Sequence, residues 1–128
     1  MIKETYCSFE VAKLLKEKGF HEPCIATYNS ITKNFQVEEI YEDWTIHWKG
    51  YISAPTQQMA MAWLREVHNI YINVQPDFPS DKDYKMCWCW SASILHENCI
   101  SLKGYQCYME TYEKATEEAI KYCLENLI

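Results

Sequence analysis

The stretch from Ala54 to Val74, APTQQMAMAWLREVHNIYINV, constrains the fold more than any other part of the chain, because it spells two secondary structures back to back. Met59, Ala60, Trp63, Leu64 and Val67 recur at three- and four-residue spacing, which gathers them on one face of a helix. Thr56 stands just ahead of them as an N-cap, its side-chain oxygen placed to accept an otherwise orphan backbone N–H. At His68-Asn69 the helical period stops, and Ile70, Ile72 and Val74 then alternate with Tyr71 and Asn73, the two-residue period of a half-buried strand. The chain is therefore organised around a helix that turns directly into a strand.

Two more helices frame this joint. Ser8 caps the first, Glu10 lies in its first turn, and Val11, Ala12, Leu14 and Leu15 form its apolar stripe up to Lys18. Gly19 ends it as a left-handed cap, with Phe20 folding back as the hydrophobic contact. Thr111 caps the last helix, which carries Ala115, Ala119, Tyr122 and Cys123 along one stripe and Ile120, Leu124 and Leu127 beside it; Glu117 and Lys121 are spaced for an i,i+4 pair. Between helices, strands are expected at Cys24 to Tyr28 and Ile31 to Val37 and through Tyr51-Ile52 until Pro55 breaks the run, while the acidic-aromatic segment Glu38 to Gly50 fits either a strand at Thr45 to Lys49 or an irregular acidic loop. Gln75 to Asp83, with two prolines and three aspartates, reads as an exposed loop. Tyr84 to Leu95 alternates cleanly: Tyr84, Met86, Trp88, Trp90, Ala92 and Ile94 on one face, Lys85, Cys87, Cys89, Ser91 and Ser93 on the other. A turn at His96-Glu97-Asn98, a return through Cys99 to Leu102 and a further strand from Tyr105 to Met109 complete an antiparallel meander.

These elements predict one α+β domain over residues 1–128, with a mostly antiparallel sheet of about four to six strands and three helices packed mainly on one face. The other face of the sheet is then partly open. A chain of 128 residues needs no staple to fold, and five Trp, ten Tyr and four Phe supply ample core. Eighteen acidic against twelve basic side chains give a net charge of −6, which opposes nucleic-acid phosphates and anionic membranes. No apolar run approaches a membrane span or a signal peptide, so a cytoplasmic location with seven reduced cysteines, most of them small core residues, is expected.

No motif fixes a chemistry. Cys87 and Cys89 are the metal-like pair, since two residues apart on a strand puts both sulfurs on one face. Structural zinc wants four ligands and this spacing supplies two, so small residues on the less crowded sheet face are the favoured reading and no metal or other cofactor is expected. A cysteine nucleophile needs a histidine beside it; His47, His68 and His96 are available, but spacing says nothing about proximity. The three glycines, Gly19, Gly50 and Gly104, form no phosphate loop. Trp44, Trp48, Trp88 and Trp90 could anchor a partner if exposed, although core packing is the commoner fate of such residues. Arg65, His68 and Asn69 are the polar residues best positioned by local structure, with ordinary roles as a solvated cation, a helix C-terminal histidine and a left-handed cap.

SFEVAKLLKEKGF near the start, APTQQMAMAWLREVHNIYINV in the middle and YMETYEKATEEAIKYCLENLI at the end together resemble a group of small uncharacterised proteins of bacterial genomes and their phages or prophages. The resemblance implies an intracellular bacterial or phage setting and carries over no activity or catalytic residue. The leading expectation is a non-enzymatic module that binds a protein, or itself, through the less covered sheet face or through Glu38 to Trp48, with Trp44, Trp48, Arg65, His68 and Asn69 as candidate binding residues. The alternative is a small enzyme or ligand-binding protein with a pocket near His47, Cys87 and Cys89, and single-stranded nucleic-acid binding comes last.

Overall fold

Local capping signals are realised at the N-termini of three helices. The computed structural model describes residues 2–44, 49–78 and 85–128, and its elements run α1 (Phe9–Glu17), β1 (Cys24–Asn29), β2 (Phe35–Glu42), β3 (Tyr51–Ser53), α2 (Gln57–His68), β4 (Ile70–Asp77), β5 (Cys87–Leu95), β6 (Ile100–Met109) and α3 (Tyr112–Asn126). Ser8 Oγ accepts the Val11 N–H at 3.2 Å, Thr56 Oγ1 that of Met59 at 3.2 Å, and Thr111 Oγ1 that of Lys114 at 3.0 Å. At the end of α1, Gly19 takes φ +92°, the Phe20 N–H returns to the Leu15 carbonyl and the Gly19 N–H to that of Lys16, the paired bonds of a glycine-capped helix end.

The strands form two three-stranded antiparallel sheets, β2-β1-β3 and β4-β5-β6. The α+β class holds, and the expected single sheet is corrected to two. In the first sheet β1 is central and pairs with β2 and β3, in the second β5 is central and pairs with β4 and β6, and the chain passes from β3 to β4 through the twelve-residue α2. The helices are correspondingly divided rather than gathered on one face, with α1 against β3 and α3 across β4, β5 and β6. Two compact units result, residues 1–60 and 61–128, with the boundary inside α2.

In the first unit, Val11, Ala12 and Leu15 of α1 are buried, as are Phe20, Cys24, Ala26 and Ile52. The second strand lies later than the expected Ile31 to Val37, because the Asn29 side chain accepts the N–H groups of Ile31 (2.9 Å) and Thr32 (3.0 Å) and extends the turn, which Lys33 closes at φ +62°. The strand reading of Thr45 to Lys49 falls almost wholly on residues 45–48, outside the described residues.

In the second unit, β4 continues through Pro76 to Asp77, past the loop boundary expected at Gln75. Proline is compatible with this position because β4 is an edge strand. The last strand is a single run, Ile100–Met109, where two shorter strands were expected, and bulges between Ala92/Ser93 and Trp88/Trp90 absorb the irregular register. Helix α3 buries Ala115, Thr116, Ala119, Ile120, Cys123 and Leu124, and each fully buried Ile or Leu contributes about 1.5–3 kcal/mol. Tyr122 packs on Trp90 with ring centroids 5.2 Å apart and planes tilted by 44°, Tyr112 meets Trp88 edge-on at 5.6 Å, and the Tyr122 hydroxyl donates to the Lys103 carbonyl at 2.8 Å. The face of β5 bearing Trp88, Trp90, Ala92 and Ile94 is thereby the helix-covered one.

Candidate functional site

Sheet register decides what the opposite face of β4-β5-β6 presents. Residues directly opposite one another in antiparallel strands share a face. Leu95 lies opposite Ile100; Tyr71, Ser93 and Leu102 form the next row; Asn73, Ser91 and Tyr105 the next; Gln75 is opposite Cys89 and Asp77 opposite Cys87. Ile100, Leu102 and Tyr105 are each at least 60% exposed and Tyr71 is 44% exposed, whereas Ser91 and Ser93 form a shallow central trough. The residues paired in these three rows are all uncharged, and the exposed Lys103 is the unpaired residue of the bulge between Leu102 and Gly104.

Beyond these rows the same face ends in a group of thiols. Cys107 of β6 comes beside Cys89 next to a bulge in which Tyr108 takes φ +66°. Cys89 and Cys107 are joined in a disulfide, which corrects the expectation of seven reduced cysteines; facing positions on adjacent strands bring together residues 18 apart in sequence. Cys87 Sγ lies 3.5 Å from Cys107 Sγ, and the three sulfurs all lie within 4.8 Å of one another. Asp77 Oδ2 faces them, 3.7 Å from Cys89 Sγ and 3.9 Å from Cys107 Sγ, while Asp77 Oδ1 accepts the Phe78 N–H at 2.8 Å. Cys87 and Cys89 are thus brought together, as their spacing suggested, and joined by two residues that spacing did not indicate. Counting back from the His96 turn does not find Cys107, since the unbroken register pairs Cys89 with Gln106, and only the bulge between Ala92 and Ser93 brings Cys107 beside it. Asp77 was hidden by Pro76, which reads as a strand breaker until β4 is known to be an edge.

The other candidates do not converge. Trp44 is 7% exposed, its indole N–H donates to the Cys24 carbonyl at 2.6 Å and its backbone N–H to Ser53 Oγ at 3.0 Å, so it packs in the interior of the first unit. Trp48 and His47 lie outside the described residues. Arg65 is exposed and pairs with the adjacent Glu66 at 3.2 Å. The His68 ring stands edge-on to Trp63 at 4.7 Å, with Nε2 buried and without a hydrogen-bond partner. Asn69 is the left-handed cap, at φ +56°, and its carbonyl accepts the Leu95 N–H at 2.7 Å. His96 bonds Ser101 Oγ at 3.0 Å near the β5–β6 turn.

The first unit holds a cleft of about 480 Å³ lined by Tyr6, Cys24, Tyr41, Thr56, Gln58 and Met59 among others. Burial, reinforced by the charges of Asp43 and Glu22, pushes the Cys24 thiol from 9.0 up to about 12. A thiol so disfavoured as thiolate does not serve as a nucleophile at neutral pH. No helix among the described residues is long and apolar enough to cross a membrane. In comparisons with protein-family models, with curated proteins and with solved structures, nothing matches this chain.

Proposed function

We propose that the chain is a non-enzymatic protein-interaction module, that its binding surface is the open face of β4, β5 and β6, and that its partner is a second copy of itself. The observation carrying this reading is the run of exposed apolar side chains in rows whose paired residues, from Leu95 and Ile100 to Asn73 and Tyr105, include no acidic group on a chain of net charge −6. Elsewhere like charge opposes the approach of two copies; on these rows it does not. Exposed apolar side chains gathered on one sheet face are the usual mark of an interaction surface, and Leu102 and Tyr105 of one copy can seat over the Ser91–Ser93 trough of the other about a twofold axis. The setting proposed with it is the cytoplasm of a bacterium, in a chromosomal, phage or prophage context. A basic nucleic-acid partner surface is not part of this reading, given the charge.

Sedimentation equilibrium over a concentration series tests it. The wild-type mass should climb from 15.2 kDa toward twice that value, and Leu102→Glu, a change at an exposed site, should hold it at the monomer with an unchanged far-ultraviolet dichroism spectrum. A wild-type protein that stays monomeric to millimolar concentration contradicts the proposal.

The cleft of the first unit favours a second reading, a small-ligand protein, since its volume falls in the range of roughly 300–1,000 Å³ usual for such sites. A small-molecule screen in which no compound raises the melting temperature of the wild type more than that of a cleft-filling Met59→Trp variant contradicts it.

A further inference from the structure

We infer that Cys87, Cys89, Cys107 and Asp77, once the Cys89–Cys107 disulfide is reduced, form a four-ligand zinc site. A disulfide between two of these residues leaves the others without a role: a third, buried thiol 3.5 Å from one of its sulfurs, and a carboxylate oxygen 3.7 Å and 3.9 Å from the pair. The Cys87–Cys107, Asp77–Cys89 and Asp77–Cys107 separations are close to those a metal imposes; reduction frees Cys89 and Cys107 to part, and Asp77, which lies outside the group of three sulfurs that share mutual distances within 4.8 Å, turns its carboxylate in to complete the set. Zn–S bonds of about 2.3 Å and Zn–O bonds of about 2.0–2.2 Å at tetrahedral angles put neighbouring ligand atoms roughly 3.5–3.8 Å apart.

The scaffold favours ligation over accident. Three thiols come from two adjacent strands and the carboxylate from a third, all on one face, so rigid elements hold every donor. Asp77 Oδ1 accepts the Phe78 N–H at 2.8 Å, an outer hydrogen bond that turns Oδ2 toward the sulfurs. Three thiolates and a carboxylate at these distances repel one another unless a cation joins them, and three sulfurs with one oxygen suit borderline-soft zinc better than hard magnesium or calcium.

Opening the site takes two equivalents of a thiol reductant, which are oxidised to their own disulfide as Cys89 and Cys107 gain two electrons and two protons. Zinc then displaces the three thiol protons to solvent and binds the three sulfurs and Asp77 Oδ2. The site closes one end of the proposed interaction face but does not depend on self-association, since all four ligands lie in one chain.

The test uses the full chain, reduced under argon, titrated with zinc and with cobalt(II) as a spectroscopic stand-in. The expected results are one zinc per chain by elemental analysis after dialysis and a cobalt spectrum with intense tetrahedral d–d bands and a thiolate charge-transfer band. Cys107→Ser and Asp77→Asn should each weaken zinc binding roughly tenfold or more, since even outer-shell losses cost 10–100-fold, whereas Cys99→Ser, an exposed cysteine next to the β5–β6 turn, should change nothing. The inference is overturned if the reduced wild type, with its seven thiols titrating, binds no stoichiometric zinc. It is equally overturned if cobalt gives no charge-transfer band, if Cys107→Ser binds as the wild type does, or if the disulfide resists reduction in the folded protein. The wild-type cobalt spectrum decides the matter even where a variant fails to fold.

Discussion

Gly104→Ala should destabilise the second unit through one ring. A Cβ built on Gly104 meets Tyr122 Cε1 at 2.5 Å and Cζ at 2.7 Å, separations no real contact sustains. Gly104 lacks the positive φ of Gly19 and Gly50, so the penalty is steric and owes nothing to backbone strain. The ring must swing away, losing the hydroxyl bond to the Lys103 carbonyl, worth about 0.5–1.5 kcal/mol, and its contact with Trp90, worth a similar ~0.5–1.5 kcal/mol. The sum, about 1–3 kcal/mol, agrees with the usual cost of overpacking. Urea unfolding followed by tryptophan fluorescence should show that loss, with a fall in melting temperature of roughly 4–12 °C. In a Tyr122→Ala background the cost of Gly104→Ala should largely vanish, because the clash has no partner left. A Gly104→Ala protein within about 0.5 kcal/mol of wild type refutes the steric account, and a penalty that persists without the Tyr122 ring refutes its attribution.

Thr56→Ala should cost about 0.5–2 kcal/mol by freeing the Met59 N–H, whereas Thr56→Ser should cost almost nothing; denaturant midpoints check both. Cys24 and Cys123 thiols are raised to about 12, chiefly by burial, so their neutral forms are the ones that the fold favours. Stability from these two groups is complete below pH 9 and drains away as pH rises from 9 toward 12, and a Cys24→Ser, Cys123→Ala double variant should show a shallower alkaline fall in thermal midpoint than the wild type. At pH 8 the exposed Cys99 should react with a disulfide reagent well before either of them.

What could be read from the sequence was whatever is decided within a few residues. Ser8, Thr56 and Thr111 cap helices because a side-chain oxygen three positions ahead of an N–H is a local arrangement, and Gly19 and Asn69 end helices because only a left-handed residue closes those turns. The period of Trp88, Trp90, Ala92 and Ile94 told which side chains share a face but not which strands would lie beside them, so two sheets looked like one. Edge position was equally hidden. It lets Pro76 stay in β4 and carries Asp77 to the thiols, and it is a property of the assembled sheet rather than of the dipeptide. Gly104 falls in the gap between the strands expected at Cys99 to Leu102 and Tyr105 to Met109, yet it sits mid-strand, where Tyr122, eighteen residues later, occupies the space a Cβ would need. Trp44 is placed by hydrogen bonds to Cys24 and Ser53, contacts set by tertiary pairing.

Backbone amide shifts followed by NMR on serial dilution test most directly the claim that the open face of the second sheet is the working surface. The account predicts concentration-dependent shifts confined to Tyr71, Asn73, Ser91, Ser93, Leu102 and Tyr105 and their immediate neighbours, with the amides of α1 and of β1 unmoved. Shifts centred instead on the acidic strand β2, or a spectrum that does not change with concentration, contradict it.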